Sequence, residues 1–389
     1  MHSAETRLST GPRSRRPGII LAACWLIVQV ALFMQYGIFA ELESLKYIGQ
    51  AEYLIKHGTV TTSNFWLYST QIFLIAASKL VGTGLASVVI VQLIFNGLAT
   101  RALYRLATEL SNQTTGLVVG LIFVFTIPMQ VYNFFLQTES LFFSFTILFS
   151  CYILRLRKLT AISIISVLAF LALISVTRPS GLLWIPCAFL YLFFRFFKGI
   201  KVLLKAGISV AVAILFFIVL NAALGSGGEL DTMLPFLDEQ LICGVPTLSS
   251  QADIQTADNA NSIQGLLYYI THNFGQFIRL AWLKTKLFFG LNRDYYSTSH
   301  NAFLICYFFP FYFLALFSIR TWMKKNKNVL LYCLSLVAIT WGTVILSCDD
   351  WHNRFFFTIV PYIYVVSIPA INFIVGRIKK TITSNGNGE

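Results

Sequence analysis

The chain has 389 residues, of which 57% are hydrophobic, 15% aromatic and only 12% charged, with a formal net charge of +13. Soluble domains carry about twice that charged fraction and disordered chains need low hydrophobicity, so both classes are excluded. The Lys and Arg residues punctuate long apolar runs and form no basic face, which excludes a nucleic-acid binder and leaves an all-α polytopic membrane protein.

A membrane-spanning helix needs about 20 predominantly apolar residues. Runs of that kind stand at 18–40, 84–107, 116–135, 139–154, 160–177, 179–196, 203–224, 301–319, 328–347 and 355–376, which predicts about ten spans. The first has the basic start of a signal peptide, yet it runs past 20 residues with no small-residue cleavage site, so it reads as a retained span. LAAC at 21–24 is only a faint likeness of a lipoprotein cleavage box. The segment 66–81 is short and carries Ser69, Thr70, Gln71, Ser78 and Lys79.

Lys and Arg in short loops favour the cytoplasmic side. The basic clusters are Arg7/Arg13/Arg15/Arg16, Arg101/Arg105, Arg155/Arg157/Lys158, Arg195/Lys198/Lys201/Lys205, Arg320/Lys324/Lys325/Lys327 and Arg377/Lys379/Lys380. All of them fall on one side if 66–81 does not cross, so that segment is expected to lie in the outer interface or to dip partway in. The organisation that follows is a cytoplasmic segment 1–17, a transmembrane core 18–224 with a first outer loop 41–83, a second large outer loop 225–300, C-terminal spans 301–376 and a cytoplasmic tail 377–389. Both termini are then cytoplasmic, in a multi-pass protein of the cell membrane, and the excess positive charge is an orientation signal. Seven cysteines are scattered without metal-ligand spacing, and Cys243 and Cys348 share the outer compartment, where they could pair.

Elaborate outer loops and minimal inner turns direct the chemistry to the outer face. In ELESLKYIGQAEYLIKHG, Leu42, Leu45, Ile48, Ala51 and Leu54–Ile55 recur at three- and four-residue steps, which predicts an amphipathic helix over 43–57. Glu41 and Glu43 stand at its start, either complementing the helix dipole or supplying a general base at the membrane surface. Glu139 sits at the outer mouth of a span, where an acid is costly and by default functional; its structural alternative is to cap the helix with Thr138. Arg178 in TRPSG can hold a phosphate or pair with Glu139, and Pro179 suits a first helical turn.

In the second outer loop, Arg279, Lys284, Lys286, Arg293 and His300 alternate with aromatic and aliphatic residues. Such a segment can rest on lipid head groups or grip a phosphate, for which guanidinium is suited. The turn SCDDWHNRFFF concentrates Asp349, Asp350, His352 and Arg354. Asp349, Asp350 and His352 are candidate divalent-metal ligands, with plain loop solvation as the alternative.

Taken in order, these features resemble the GT-C superfamily of membrane glycosyltransferases, and most closely the branch with protein mannosyltransferases and lipid A aminoarabinose transferases. Glu43, Tyr47, Ala51 and Gly58 follow that branch's first-loop pattern of an acid, a Tyr, an Ala and a Gly, and 66–81 corresponds to its second juxtamembrane helix. Glu139 downstream of Pro128, the Arg-Pro of TRPSG and HNRFFFTIVP also look like family landmarks, so the likeness covers essentially the whole chain. The family's first acid is usually Asp and a Pro-Pro pair precedes its second juxtamembrane helix; here Glu43 and TVTTSNF stand instead, and a large soluble C-terminal domain is absent.

The resemblance implies a sugar transferred from a polyprenyl-phosphate donor to a lipid, glycan or protein acceptor at the outer face, by direct displacement with inversion. It implies Glu43, with Glu41 and Glu139 as further catalytic carboxylates, and Arg293, Lys286, Arg178, Arg354 and His300 for the donor phosphate. No cofactor is implied with certainty; a divalent metal fits some members. The alternatives are a lipid-linked glycan polymerase or ligase, favoured by the size of 225–300, and a transporter or flippase, disfavoured by the absence of internal repeats and by in-span regions nearly free of charge.

Overall fold

The computed structural model describes residues 14–197, 199–201, 203–204, 206–212, 214, 233–247 and 254–386, with side chains to 381. Most of the expected span 203–224, the start of the second outer loop and most of the N-terminal segment lie outside the described residues. Fifteen helices follow one another among the described residues: α1 Arg16–Tyr36, α2 Glu43–His57, α3 Ser69–Val81, α4 Leu85–Leu110, α5 Gln113–Val124, α6 Ile127–Gln130, α7 Glu139–Arg155, α8 Ala161–Ser175, α9 Trp184–Phe196, α10 Leu234–Leu237, α11 Ile263–His272, α12 Phe274–Gly290, α13 Thr298–Lys325, α14 Lys327–Leu346 and α15 Arg354–Gly386. There is no β-strand among them, only two isolated parallel bridges.

Among the described residues, six helical stretches are long and apolar enough to cross a membrane: Arg16–Tyr36, Leu85–Leu110, Pro179–Phe196, Thr298–Lys325, Lys327–Leu346 and Trp351–Thr381. The expected span 116–135 is not continuous, since α5 and the following Ile127–Phe134 meet at a 62° bend. Pro128 explains the break: it has no N–H to offer the carbonyl four residues earlier and its ring clashes with that carbonyl, whereas the first turn of a new helix, where it stands in α6, tolerates it. α7 and α8, with 17 and 15 residues, are shorter than a full crossing.

The chain forms two compact units, the first made of Met1–Ile185, Phe313–Leu330 and Ile363–Glu389, the second of Pro186–Tyr312 and Leu331–Tyr362. In unit one α4 packs on α5 and α7, α1 on α5, and α2 on α3. The amphipathic α2 covers the predicted 43–57 and buries Ser44, Tyr47 and Ala51. It stops at Gly58, whose φ of 70° is the left-handed conformation that glycine adopts at no steric cost. Its exposed face is tied to α3 by a Lys79–Glu52 ion pair.

Buried amides stabilise the helix break. Gln29 donates to Gln130 Oε1 at 2.9 Å, Asn133 donates to Gln29 Oε1 at 3.1 Å, and Ser140 donates to Asn133 Oδ1 at 2.7 Å. Gln92 Nε2 donates to the carbonyls of Asn133 and Phe135 at 2.9 and 3.0 Å. An unpartnered backbone carbonyl in an apolar interior costs several kcal/mol, so these side chains make the irregular stretch 125–138 admissible and fix the start of α7.

In unit two Met233, Phe236, Tyr269 and Leu280 form a small core. The disulfide Cys243–Cys348 closes the chain over a separation of 105 residues. Next to it, Cys243 N–H donates to Asp349 O and Asp349 N–H to Leu241 O, both at 2.9 Å. Closing so long a loop is worth about 4 kcal/mol, so Cys348→Ser, or reduction, is expected to destabilise the purified protein by that order. A denaturant titration unchanged by the substitution would contradict this.

Candidate functional site

Four segments of unit one converge through their backbones. Phe39 N–H donates to Phe134 O at 2.9 Å and Leu136 N–H to Phe39 O at 3.2 Å, which stitches the exit of α1 to the approach of α7. Ser44 Oγ also donates to Phe39 O, at 3.3 Å. Thr70 N–H donates to Val176 O at 3.2 Å, and Thr177 Oγ1 to Thr70 Oγ1 at 3.0 Å, which joins the start of α3 to the Arg178 turn. The turn is tight, since a side chain on Gly181 would come within 2.3 Å of the Ile174 carbonyl.

Three of the sequence-predicted residues meet at this junction. Arg178 donates to Glu139 Oε1 at 2.7 Å, with both side chains buried. Of the two roles open to Arg178, pairing with Glu139 is therefore made. Thr138 makes no side-chain capping bond to α7. Tyr47 donates its hydroxyl to Glu43 Oε1 at 2.9 Å, and α2 likewise has no side-chain cap bond. Burial raises the Tyr47 hydroxyl well above its ordinary range, the nearby charges of Glu43 and Glu139 raise it further, and Arg178 opposes them. The tyrosine is thus a firm donor that keeps its proton, and it lies within the field of both carboxylates and of the guanidinium. Glu41 is exposed, outside this cluster.

The surrounding wall is aromatic. Tyr68 packs at a 49° tilt 5.7 Å from Tyr47, and Lys46 Nζ lies 4.8 Å from the Tyr68 ring centroid and 5.3 Å from that of Phe65, within cation–π reach. Sequence reasoning did not single out Lys46 or Tyr68. The aromatic run NFWLY just before α3 is the signal that points to them.

The remaining predicted residues belong to unit two and are largely engaged with one another. Arg293 is fully buried and pairs with Asp349; it also donates to the Leu287 carbonyl at 3.0 Å. Arg354 pairs with Asp350 at 2.8 Å, and Arg279 pairs with Glu239. Arg293, the first phosphate candidate, is therefore a buried ion-pair member that a ligand would have to displace. Lys286 and His300 are exposed. Among the described residues no group of three or more His, Cys, Asp and Glu could hold a metal, and Asp349, Asp350 and His352 do not form one. The carboxylates face arginines instead. The chain matches no known protein family and no curated protein at a significant level.

Lys284 is fully buried, donates to the Ser347 carbonyl and sits 4.4 Å from the Phe236 ring centroid. Burial lowers its pKa from 10.5 to about 7. Between those values the folded protein binds fewer protons than the unfolded chain, so stability rises with pH. This contribution is complete above about pH 10.5 and lost by about pH 7. Lys284→Met is expected to be more stable than wild type at neutral pH and to flatten the rise across that window, measured by thermal unfolding in detergent. Identical pH profiles would contradict it.

Proposed function

We propose that this chain is a membrane glycosyltransferase of the GT-C kind. It moves a monosaccharide from a polyprenyl-phosphate donor to a hydroxyl acceptor at the outer face of the cell membrane. The observation that carries the reading is the Glu43–Tyr47 hydrogen bond beside the buried Glu139–Arg178 pair. These are the residues that carry the family resemblance, and they lie far apart in sequence. The disulfide supports the outer placement of the 241–243 and 348–350 segments, because disulfides persist in oxidising compartments.

In this reading Glu43 takes the proton of the acceptor hydroxyl as its oxygen attacks the anomeric carbon. The bond from that carbon to the phosphate oxygen breaks, and the electron pair leaves with the lipid phosphate. The configuration at the anomeric carbon inverts, with no sugar–enzyme intermediate. Tyr47 holds the carboxylate in one orientation through Oε1. Arg178 pairs with the buried Glu139, and Arg178 and Lys46 are cations near the cluster that oppose the charge developing on the leaving phosphate.

The helix break with its buried amides favours a second reading, a transporter, since broken helices mark substrate sites in transporters. Those amides bond mainly to one another and to the backbone of the break, which supports a fixed structural role. One comparison tests both readings: mass spectrometry of envelope lipids and glycans in cells with the protein, without it, and with Glu43→Gln. The glycosyltransferase reading expects a glycan species restored by wild type and reduced about 100-fold or more by Glu43→Gln, with Tyr47→Phe retaining part of the activity. Full restoration by Glu43→Gln would remove Glu43 as the base. An unchanged glycan profile with altered lipid transport would favour the transporter.

A further inference from the structure

A second surface feature belongs to unit two and involves none of the residues of the Glu43 cluster. It is built from two segments, DYYSTSH at 294–300 and DDWHN at 349–353. The buried Arg293–Asp349 pair joins them, Asn353 Nδ2 donates to the Leu291 carbonyl at 3.3 Å, and the disulfide at Cys348 holds the second segment to Cys243. On that base Tyr295 packs against Trp351 with 5.2 Å between ring centroids and against Tyr296 with 4.8 Å, and His352 meets Tyr295 edge-on at 5.5 Å. Tyr295 and Trp351 remain 40% and 38% exposed.

The polar atoms of these rings hold them in place. Trp351 Nε1 donates to the Cys243 carbonyl at 3.1 Å, and the His352 N–H donates to Tyr295 Oη at 2.9 Å. His352 and Asn353 take φ values of 57° and 59°, the left-handed region that residues other than glycine rarely occupy. Such strain persists only where the surroundings over-determine it, and it gathers at ligand sites. With the indole N–H and the phenol oxygen engaged, the exposed surface of the two rings is mainly carbon, on a preorganised support.

Three kinds of partner suit exposed aromatic rings, and two of them fit poorly here. A quaternary ammonium needs rings spaced around it, each within about 6 Å. These centroids are 4.8 to 5.5 Å from one another, so the rings fill the space between themselves and form a surface, not a cage. A membrane anchor carries aliphatic residues beside its aromatics, but neither segment holds a Leu, Ile, Val or Met, and α13 opens on the polar run Thr298, Ser299, His300 and Asn301. A sugar ring combines an apolar C–H face with an edge of hydroxyls. The rim supplies the matching groups, because Asp294, Ser297, Ser299 and His300 are exposed and can donate to or accept from hydroxyls.

We propose that Tyr295 and Trp351 form a platform for a pyranose ring of a glycan, which lies with its C–H face on the rings and its hydroxyls toward the polar rim. A ring with mostly equatorial hydroxyls fits, because an axial hydroxyl would hold it away from the aromatic face. The proposal rests on unit two alone and stands whether or not unit one transfers sugars.

The test is saturation-transfer-difference NMR and calorimetric titration of the full chain, purified in lauryldimethylamine oxide so that no detergent sugar competes, with cellohexaose and chitohexaose as probes. Both are expected to bind. Trp351→Leu keeps an apolar side chain but removes the flat ring, and is expected to weaken binding about tenfold, whereas Trp351→Phe retains most of it. Tyr295→Leu is expected to act as Trp351→Leu does, with thermal unfolding as the check that each variant folds. Equal binding by wild type and both leucine variants would overturn the proposal. Binding of neither oligosaccharide would also overturn it, and stronger quenching of wild type than of Trp351→Leu by dibromophosphatidylcholine in nanodiscs would then assign the rings to the membrane interface. Displacement of the oligosaccharides by millimolar tetramethylammonium would overturn the sugar assignment in favour of a quaternary ammonium.

Discussion

Arg178 and Glu139 meet at 2.7 Å with both side chains withdrawn from solvent. In an apolar protein neither charge is stable there alone, and removing one partner of such a pair costs about 3–5 kcal/mol. The pair therefore clamps two segments that the chain separates by 39 residues, the start of α7 and the turn before α9. Because Thr70 and Thr177 attach that turn to α3, and the 39–135 bridge attaches α7 to the exit of α1, Glu43 and Tyr47 inherit their positions from it.

The same device recurs in unit two. Arg293 and Asp349 form a pair with no exposed side-chain surface, beside a disulfide that fixes the same turn. Burial raises the Asp349 carboxyl, and the Arg293 guanidinium beside it opposes that rise. Buried ionic pairs give up desolvation energy in return for definite geometry. A chain with only 12% charged residues thus places several of its few charges where they determine how loops between helices are set.

Much of this was legible in the sequence. The three- and four-residue spacing from Leu42 to Ile55 predicted α2 to the residue, because its core stripe is carried by a regular pattern. The basic turns and apolar runs located most helices within a few residues. Pro128 and Thr126 carried the signal for the helix break, but the apolarity of 116–135 outweighed it. The amides that satisfy the broken backbone come from α1, α4 and the break itself, which no local pattern reports. Charge pairing was legible only where two outcomes could be named, as for Arg178. The burial of Arg293 was not legible, since spacing shows which residues share a helix face and not which carboxylate a loop brings to them. In the cluster itself, Glu43, Tyr47 and Glu139 were readable from their pattern, whereas the aromatic run ending in Tyr68 gained its meaning only once it was packed beside Lys46 of α2.

The central claim is that the Arg178–Glu139 pair holds the cluster together. It is tested most directly by a double-mutant cycle, with unfolding free energies measured in detergent for wild type, Glu139→Gln, Arg178→Gln and the double variant. The account predicts a coupling energy of about 2–3 kcal/mol, with the double variant more stable than the sum of the single losses implies. Additive losses, with no coupling, would contradict it.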